Sequence, residues 1–167
     1  MRGDFRYSQV AVGGTFDIIH GGHARLLARA FELGRIVVIG VTSDSLVPVL
    51  LKDHPVQSFH RRERRLREFL RSRGWLGRAR IVELTDPYGP AVRLKNLEAL
   101  VVSEKTRISA RKVNSIRASR RLKPLRLHVV RMVKGEDGKP ISTSRILKGE
   151  IDVRGHRTGG RADPPDG

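Results

Sequence analysis

Residues 10–23 read VAVGGTFDIIHGGH. Val10, Ala11 and Val12 form a short apolar run of the kind that builds a buried parallel strand, and Gly13-Gly14 ends it with residues that tolerate positive φ. Lacking Cβ atoms, these glycines let a phosphate approach the main chain, so that N–H groups of the following turn point at it. Gly21 and Gly22 repeat the arrangement. From His23 to Leu33 the apolar spacing is helical, and the unpaired first-turn N–H groups of such a helix attract anions. The stretch therefore reads as a nucleotide-binding turn between a strand and a helix. A glycine pair can also be a plain turn, and His20-x-x-His23 could hold part of a metal site. Zinc wants further ligands, yet the chain has no cysteine and His54, His60, His128 and His156 show no ligand spacing, so no protein metal site is expected.

Outward from this unit, strands and helices alternate. Arg35 to Val41 is a β-branched run bounded by turn residues and predicts a second buried strand. A connection from Thr42 to Ser58 follows, with Lys52 as its only base, and a catalytic loop is expected there. Phe59 to Ser72 has Phe59, Leu66, Phe69 and Leu70 on one helical face, with Glu63 and Arg67 as an i,i+4 pair. Ala79 to Leu84 and Glu98 to Ser103 predict further strands, and Leu125 to Met132 a fifth. Ser103-Glu104-Lys105-Thr106 leads into an expected helix running to about Arg121. The alternation predicts an α/β fold, a Rossmann-like doubly wound sheet of about five parallel strands with helices on both faces. Ligands of such sheets bind beyond the strands' carboxyl ends, at the topological switch point.

At 167 residues the chain suits one domain. Residues 1–152 carry the pattern, while 153–167, rich in Gly, Pro and charge with no apolar periodicity, predict a disordered tail. The amino terminus lacks the apolar centre of a signal peptide and no run approaches membrane-span length, so a soluble cytoplasmic protein is expected. Lys and Arg number 34 against 17 Asp and Glu, a formal charge of +17. Residues 61–80 supply +7 of the excess and residues 105–126 supply +9. A basic nucleic-acid-binding domain would account for this charge, as would solvated helix faces in an Arg-rich chain. With eight aromatic residues, few of them in the basic runs, a stacking platform for single strands is lacking, and no specific nucleic acid is expected.

Pro140-Ile-Ser-Thr-Ser-Arg-Ile146 begins a short helix with hydroxyls in its first turn, ordinarily a capping pattern. Together with HGGH it resembles the paired motifs of the HxGH nucleotidyltransferase superfamily. The wider set GGTFDIIHGGH, GVTSD, KDHPVQSF, TDPYGPA, VVSEKT, VNSIR and ISTSRILKGEID is most similar to the phosphopantetheine adenylyltransferase family of archaea and eukaryotes. The resemblance covers Val10 to Asp152 and implies transfer of the adenylyl group of ATP to 4'-phosphopantetheine, giving dephospho-coenzyme A and pyrophosphate.

It also implies residue roles. Gly13, Gly14, Thr15, Phe16, His20, Gly22 and His23 would bind the nucleotide, with Ser142, Thr143, Ser144 and Arg145 on the leaving pyrophosphate. His23, His20 and Lys52 would be catalytic. Thr15, Lys52, Lys105, Asn114 and Arg117 would contact the acceptor. Mg²⁺ would travel with ATP, and Asp17 would orient the turn. An ionised phosphate nucleophile needs no general base, which suits a chain without an obvious nucleophile motif. A cytidylyltransferase for an alcohol phosphate, or an adenylyltransferase for a flavin or nicotinamide mononucleotide, shares both phosphate motifs and stands as the nearer alternative. Cytidylyltransferases usually carry Arg-Thr-x-Gly before the ISTS segment, where this chain has Gly135-Glu136-Asp137-Gly138-Lys139-Pro140.

Overall fold

The computed structural model describes residues 3–50 and 53–159. Five strands, β1 (Tyr7–Gly14), β2 (Gly34–Thr42), β3 (Ala79–Leu84), β4 (Ala99–Ser103) and β5 (Arg126–Val130), make one sheet in the order β3-β2-β1-β4-β5. Every pairing is parallel. Among the described residues the α-helices are α1 (Gly21–Leu33), α2 (Phe59–Ser72), α3 (Arg107–Ser119) and α4 (Thr143–Leu147).

Successive side chains of a strand point to opposite faces, so Val10-Ala11-Val12 feeds two cores at once. Val10 and Val12 pack with Leu26, Leu27 and Phe31 of α1 and Leu66 and Leu70 of α2. Ala11 packs with Leu100, Val102 and the α3 residues Ala110 and Val113. Helices therefore cover both faces, as the sequence predicts for a doubly wound sheet. The chain turns from one face to the other between the neighbouring strands β1 and β4, and the crevice opens at their carboxyl ends.

Three local expectations need correction. Gly13 and Gly14 lie within β1, paired with Gly40 and Val41, and the left-handed residue of the turn is Phe16, at φ 52°. A Cβ on Gly14 would stand 3.1 Å from the Phe16 ring, so the glycine makes room for the buried aromatic. Next, α1 begins at Gly21 with His20 as its cap, two residues before the predicted start.

The folded body also continues past residue 152, where a disordered tail is expected. Val153 O accepts the Gly21 N–H at 2.9 Å, Gly155 O accepts the Glu136 N–H at 2.9 Å, and Ile151 bridges Arg157. Composition misleads here because these bonds are made by main-chain groups, which leave no apolar period in the sequence. The remainder of the predicted tail, residues 160–167, lies outside the described residues.

Candidate active site

A cleft of about 700 Å³ opens at the carboxyl ends of β1 and β4. Its polar end is built by the turn after β1 and by α1. His20 closes the helix through its imidazole: Nδ1 accepts the Gly22 N–H at 3.1 Å, and the His23 N–H also donates to the ring. In turn, His23 Nδ1 accepts the His20 N–H at 3.4 Å. With each Nδ1 acting as acceptor, the proton of each neutral ring sits on Nε2. The rings stack with centroids 4.0 Å apart, and burial lowers the His20 pKa to about 4. His20 is therefore neutral near pH 7, and its Nε2–H is a donor that carries no charge.

The expected free N–H groups of this helix are taken. Gly21 donates to Val153 O, Gly22 and His23 to the His20 ring, and Ala24 to His20 O. What α1 offers a phosphate is imidazole N–H and the field of its dipole, not a main-chain cradle.

The preceding turn is clamped from below. Arg62 of α2 is wholly buried and donates through Nη1 to Thr15 O at 2.8 Å, through Nε to Gln57 O at 2.8 Å, and through Nη2 to Asp44 Oδ1 at 2.9 Å. Asp17, also buried, accepts the Gln57 N–H at 2.9 Å, and its other oxygen lies 3.9 Å from His54 Nδ1. Asp17 thus fastens the turn to the start of α2. Thr42 adds a hydroxyl bond to Gly14 O at 3.3 Å.

On the opposite side, Ser142 caps α4, and Ser142, Thr143 and Ser144 line the cleft. Ser144 Oγ donates to Asp53 Oδ1 at 2.8 Å, tying α4 to the connection after β2. Gly13, Gly14, Thr15, Phe16, His20, Gly22, His23 and Lys105 line the same cleft. Lys52 lies outside the described residues.

Three predicted ligand residues have other partners. Arg145 ion-pairs with Glu150 at 2.8 Å and with Asp137, and donates to Pro140 O at 2.9 Å. Its pKa is raised by the Glu150 bond first and Asp137 second, and the side chain braces the turn ahead of α4. Asn114 clamps the main chain of Leu125, donating to its carbonyl at 3.0 Å and accepting from its N–H at 2.8 Å. Arg117 is fully buried and donates to Ala91 O, Leu94 O and Lys123 O at 2.8, 3.0 and 2.7 Å. Asn114 and Arg117 therefore fix β5 and the 89–94 wall, and neither lines the cleft.

Sequence reasoning missed Arg62, Asp53, Ser109 and Lys112. Ser109 and Lys112 reach the cleft from α3. They follow Lys105 at i+4 and i+7, and that helical spacing was the available signal. Arg62 sits four residues before Leu66 on the buried stripe of α2, where a charged side chain in an apolar row marks a tertiary partner.

The other end of the cleft is an apolar pit on the α3 side of the sheet. Ala11, Gly13, Val38, Gly40 and Leu84 form its floor, and Tyr88, Ala91, Ala110 and Val113 its walls. Gly40 keeps the floor low, since a Cβ there would stand 2.7 Å from Leu84 Cδ2.

A family model described as cytidylyltransferase-like matches residues 11–149. A phosphopantetheine adenylyltransferase of Methanothermobacter thermautotrophicus is 44% identical over 151 residues, covering 90% of each chain. The protein of that name from Methanosarcina mazei is 43% identical over 150 residues, covering 88% of this chain and 95% of its own length. Among solved structures, a protein of unknown function from Archaeoglobus fulgidus aligns with a TM-score of 0.66 at 33% identity, over 73% of this chain and 88% of that one.

Proposed function

The chain belongs to the cytidylyltransferase-like family and, within it, to the phosphopantetheine adenylyltransferases, and from that membership we infer that it transfers the adenylyl group of ATP to 4'-phosphopantetheine. The products are dephospho-coenzyme A and pyrophosphate. The observation that carries the acceptor's identity is the apolar pit adjoining the imidazole and hydroxyl end of one cleft. A flexible amide arm with a terminal thiol fits such a pit, its phosphate left at the polar mouth. A flavin or nicotinamide ring would want stacking planes on both sides, and Tyr88 is the wall's one aromatic among the described lining residues.

On this reading an acceptor phosphate oxygen, already ionised at neutral pH, attacks the α-phosphorus of ATP in line. A new P–O bond forms as the bond to pyrophosphate breaks, with no covalent enzyme intermediate and no proton to remove. Thr15 and the Phe16 N–H hold the acceptor phosphate. His20 and His23 donate from Nε2 to the nucleotide phosphates, His23 nearest the reacting phosphorus, and charge stabilisation is the main catalytic term. Lys52 bridges the acceptor and α-phosphates. Ser142, Thr143 and Ser144 receive the pyrophosphate, with whose oxygens the Asp53 carboxylate competes for the Ser144 hydroxyl. Lys105 and Lys112 add cationic field at the α3 wall.

The donor set at the polar end is imidazole and hydroxyl with Asp53 as the adjacent carboxylate. That set fits a Mg²⁺ held mainly by the triphosphate itself. Bound there, the ion would offset charge on the β- and γ-phosphates. The setting in the cell is the cytoplasm, and among the described residues no helix is long and apolar enough to cross a membrane.

The test offers ATP or CTP with 4'-phosphopantetheine, nicotinamide mononucleotide, flavin mononucleotide or glycerol 3-phosphate, and follows pyrophosphate release. Turnover with ATP and phosphopantetheine is expected. Turnover with another pair, and none with that one, would overturn the reading.

A further inference from the structure

Arg62 stands outside the cleft, on the helix that covers the opposite face of the sheet from the apolar pit. Burying a guanidinium there is costly unless its N–H groups are satisfied, and here each nitrogen has a geometric partner. Its partner Asp44 is mostly exposed, so a simple ion pair could have formed at the surface without bringing the arginine inside. The inward reach places Nη1 on the Thr15 carbonyl, 2.8 Å away. Thr15 and Phe16 share a planar trans peptide, in which C=O and N–H point in opposite directions. Drawing the carbonyl toward α2 therefore turns the Phe16 N–H the other way, toward the face that holds the pit. Phe16 adopts φ 52°, a conformation unfavourable for a bulky residue unless its surroundings impose it.

We propose that Arg62 is a positioning residue that aims the Phe16 N–H at the acceptor's phosphate and so lets the enzyme recognise the phosphorylated arm over the bare one. This rests on the acceptor reading given above. The guanidinium also polarises the peptide it holds, because a bond from a charged donor to the carbonyl strengthens the N–H at its far end. Lysine would keep the charge but could not span the carbonyls of Thr15 and Gln57 and the carboxylate of Asp44 in one fork.

The experiment compares wild type, Arg62→Lys and Arg62→Met by calorimetric titration with ATP, with 4'-phosphopantetheine and with pantetheine, which lacks the phosphate. Both variants should bind phosphopantetheine on the order of tenfold to a hundredfold more weakly, the range for misdirecting a hydrogen bond to a charged group. Pantetheine and ATP should bind within about threefold of wild type, at a stoichiometry near one per chain, as for a change confined to the phosphate subsite. Unaltered preference for phosphopantetheine over pantetheine in the variants would overturn the proposal. So would weakening of all three ligands together in the lysine as in the methionine variant, which would make Arg62 a residue of the fold alone. The wild-type titration with phosphopantetheine tests the acceptor reading separately: no binding there sinks that reading before any variant is made.

Discussion

At the α1 cap the His20 ring is an acceptor, which it can be only while neutral. Its pKa of about 4 lies below the ordinary 6.5, so the unfolded chain takes up the proton more readily than the folded one. This contribution to stability is complete above pH 6.5 and is lost as pH falls through about 4. His128 is shifted the same way, by burial first and then by Arg29, Arg6 and Arg126, so the two must be separated. In His20→Asn the cap is kept by a side chain that does not titrate. Melting temperature measured from pH 7 to 4 should fall more steeply for wild type than for this variant, and parallel curves would remove His20 from the effect. For His23→Ala, turnover should drop by on the order of 10² to 10³ with the melting temperature near wild type, as when one charge-stabilising donor is lost. An unchanged kcat in a folded variant would take His23 out of the mechanism.

Among the elements, α4 is short, and what matters is how it is tied. Asp53 holds Ser144, so a carboxylate occupies the hydroxyl that the pyrophosphate would need. Asp53→Ala should tighten ATP binding about threefold to tenfold by removing a competitor of like charge. Weaker ATP binding in calorimetry would instead make the contact a support for the loop. The inner strands were legible because a sheet covered on both faces turns each one into a continuous apolar run, as Ile36 to Val41 and Ala99 to Val102 illustrate. The HGGH and ISTS turns were legible because each gathers its chemistry within a few residues. The roles of Arg62, Asn114 and Arg117 were not legible, since each depends on which carbonyls another segment brings opposite. Those carbonyls belong to Thr15, Leu125, Ala91 and Leu94, and a main-chain acceptor has no residue type to read.

Over the whole molecule, the two basic runs separate. Arg61, Arg64, Arg65 and Arg71 are exposed on α2, whereas Arg107, Arg111 and Lys112 are exposed on α3, across the sheet. The two basic surfaces thus lie on opposite faces of the sheet, and the α3 one lends Lys112 to the cleft. The described end of the chain makes a further link between distant segments. Truncation after Asp152 should cost about 2–3 kcal/mol, from main-chain bonds of about 1 kcal/mol each, and should lower turnover with it. A melting curve superimposable on the full chain's would show that the segment contributes nothing to the body. Because Val153 O is the partner of the Gly21 N–H, the order of synthesis and the order of completion are reversed. A ribosome delivers the nucleotide-binding turn well over a hundred residues before Val153, yet the opening amide of α1 has no carbonyl to meet until that residue emerges. A nascent chain can pair its early strands as they emerge. Its active site stays unsealed until Val153 has left the ribosome.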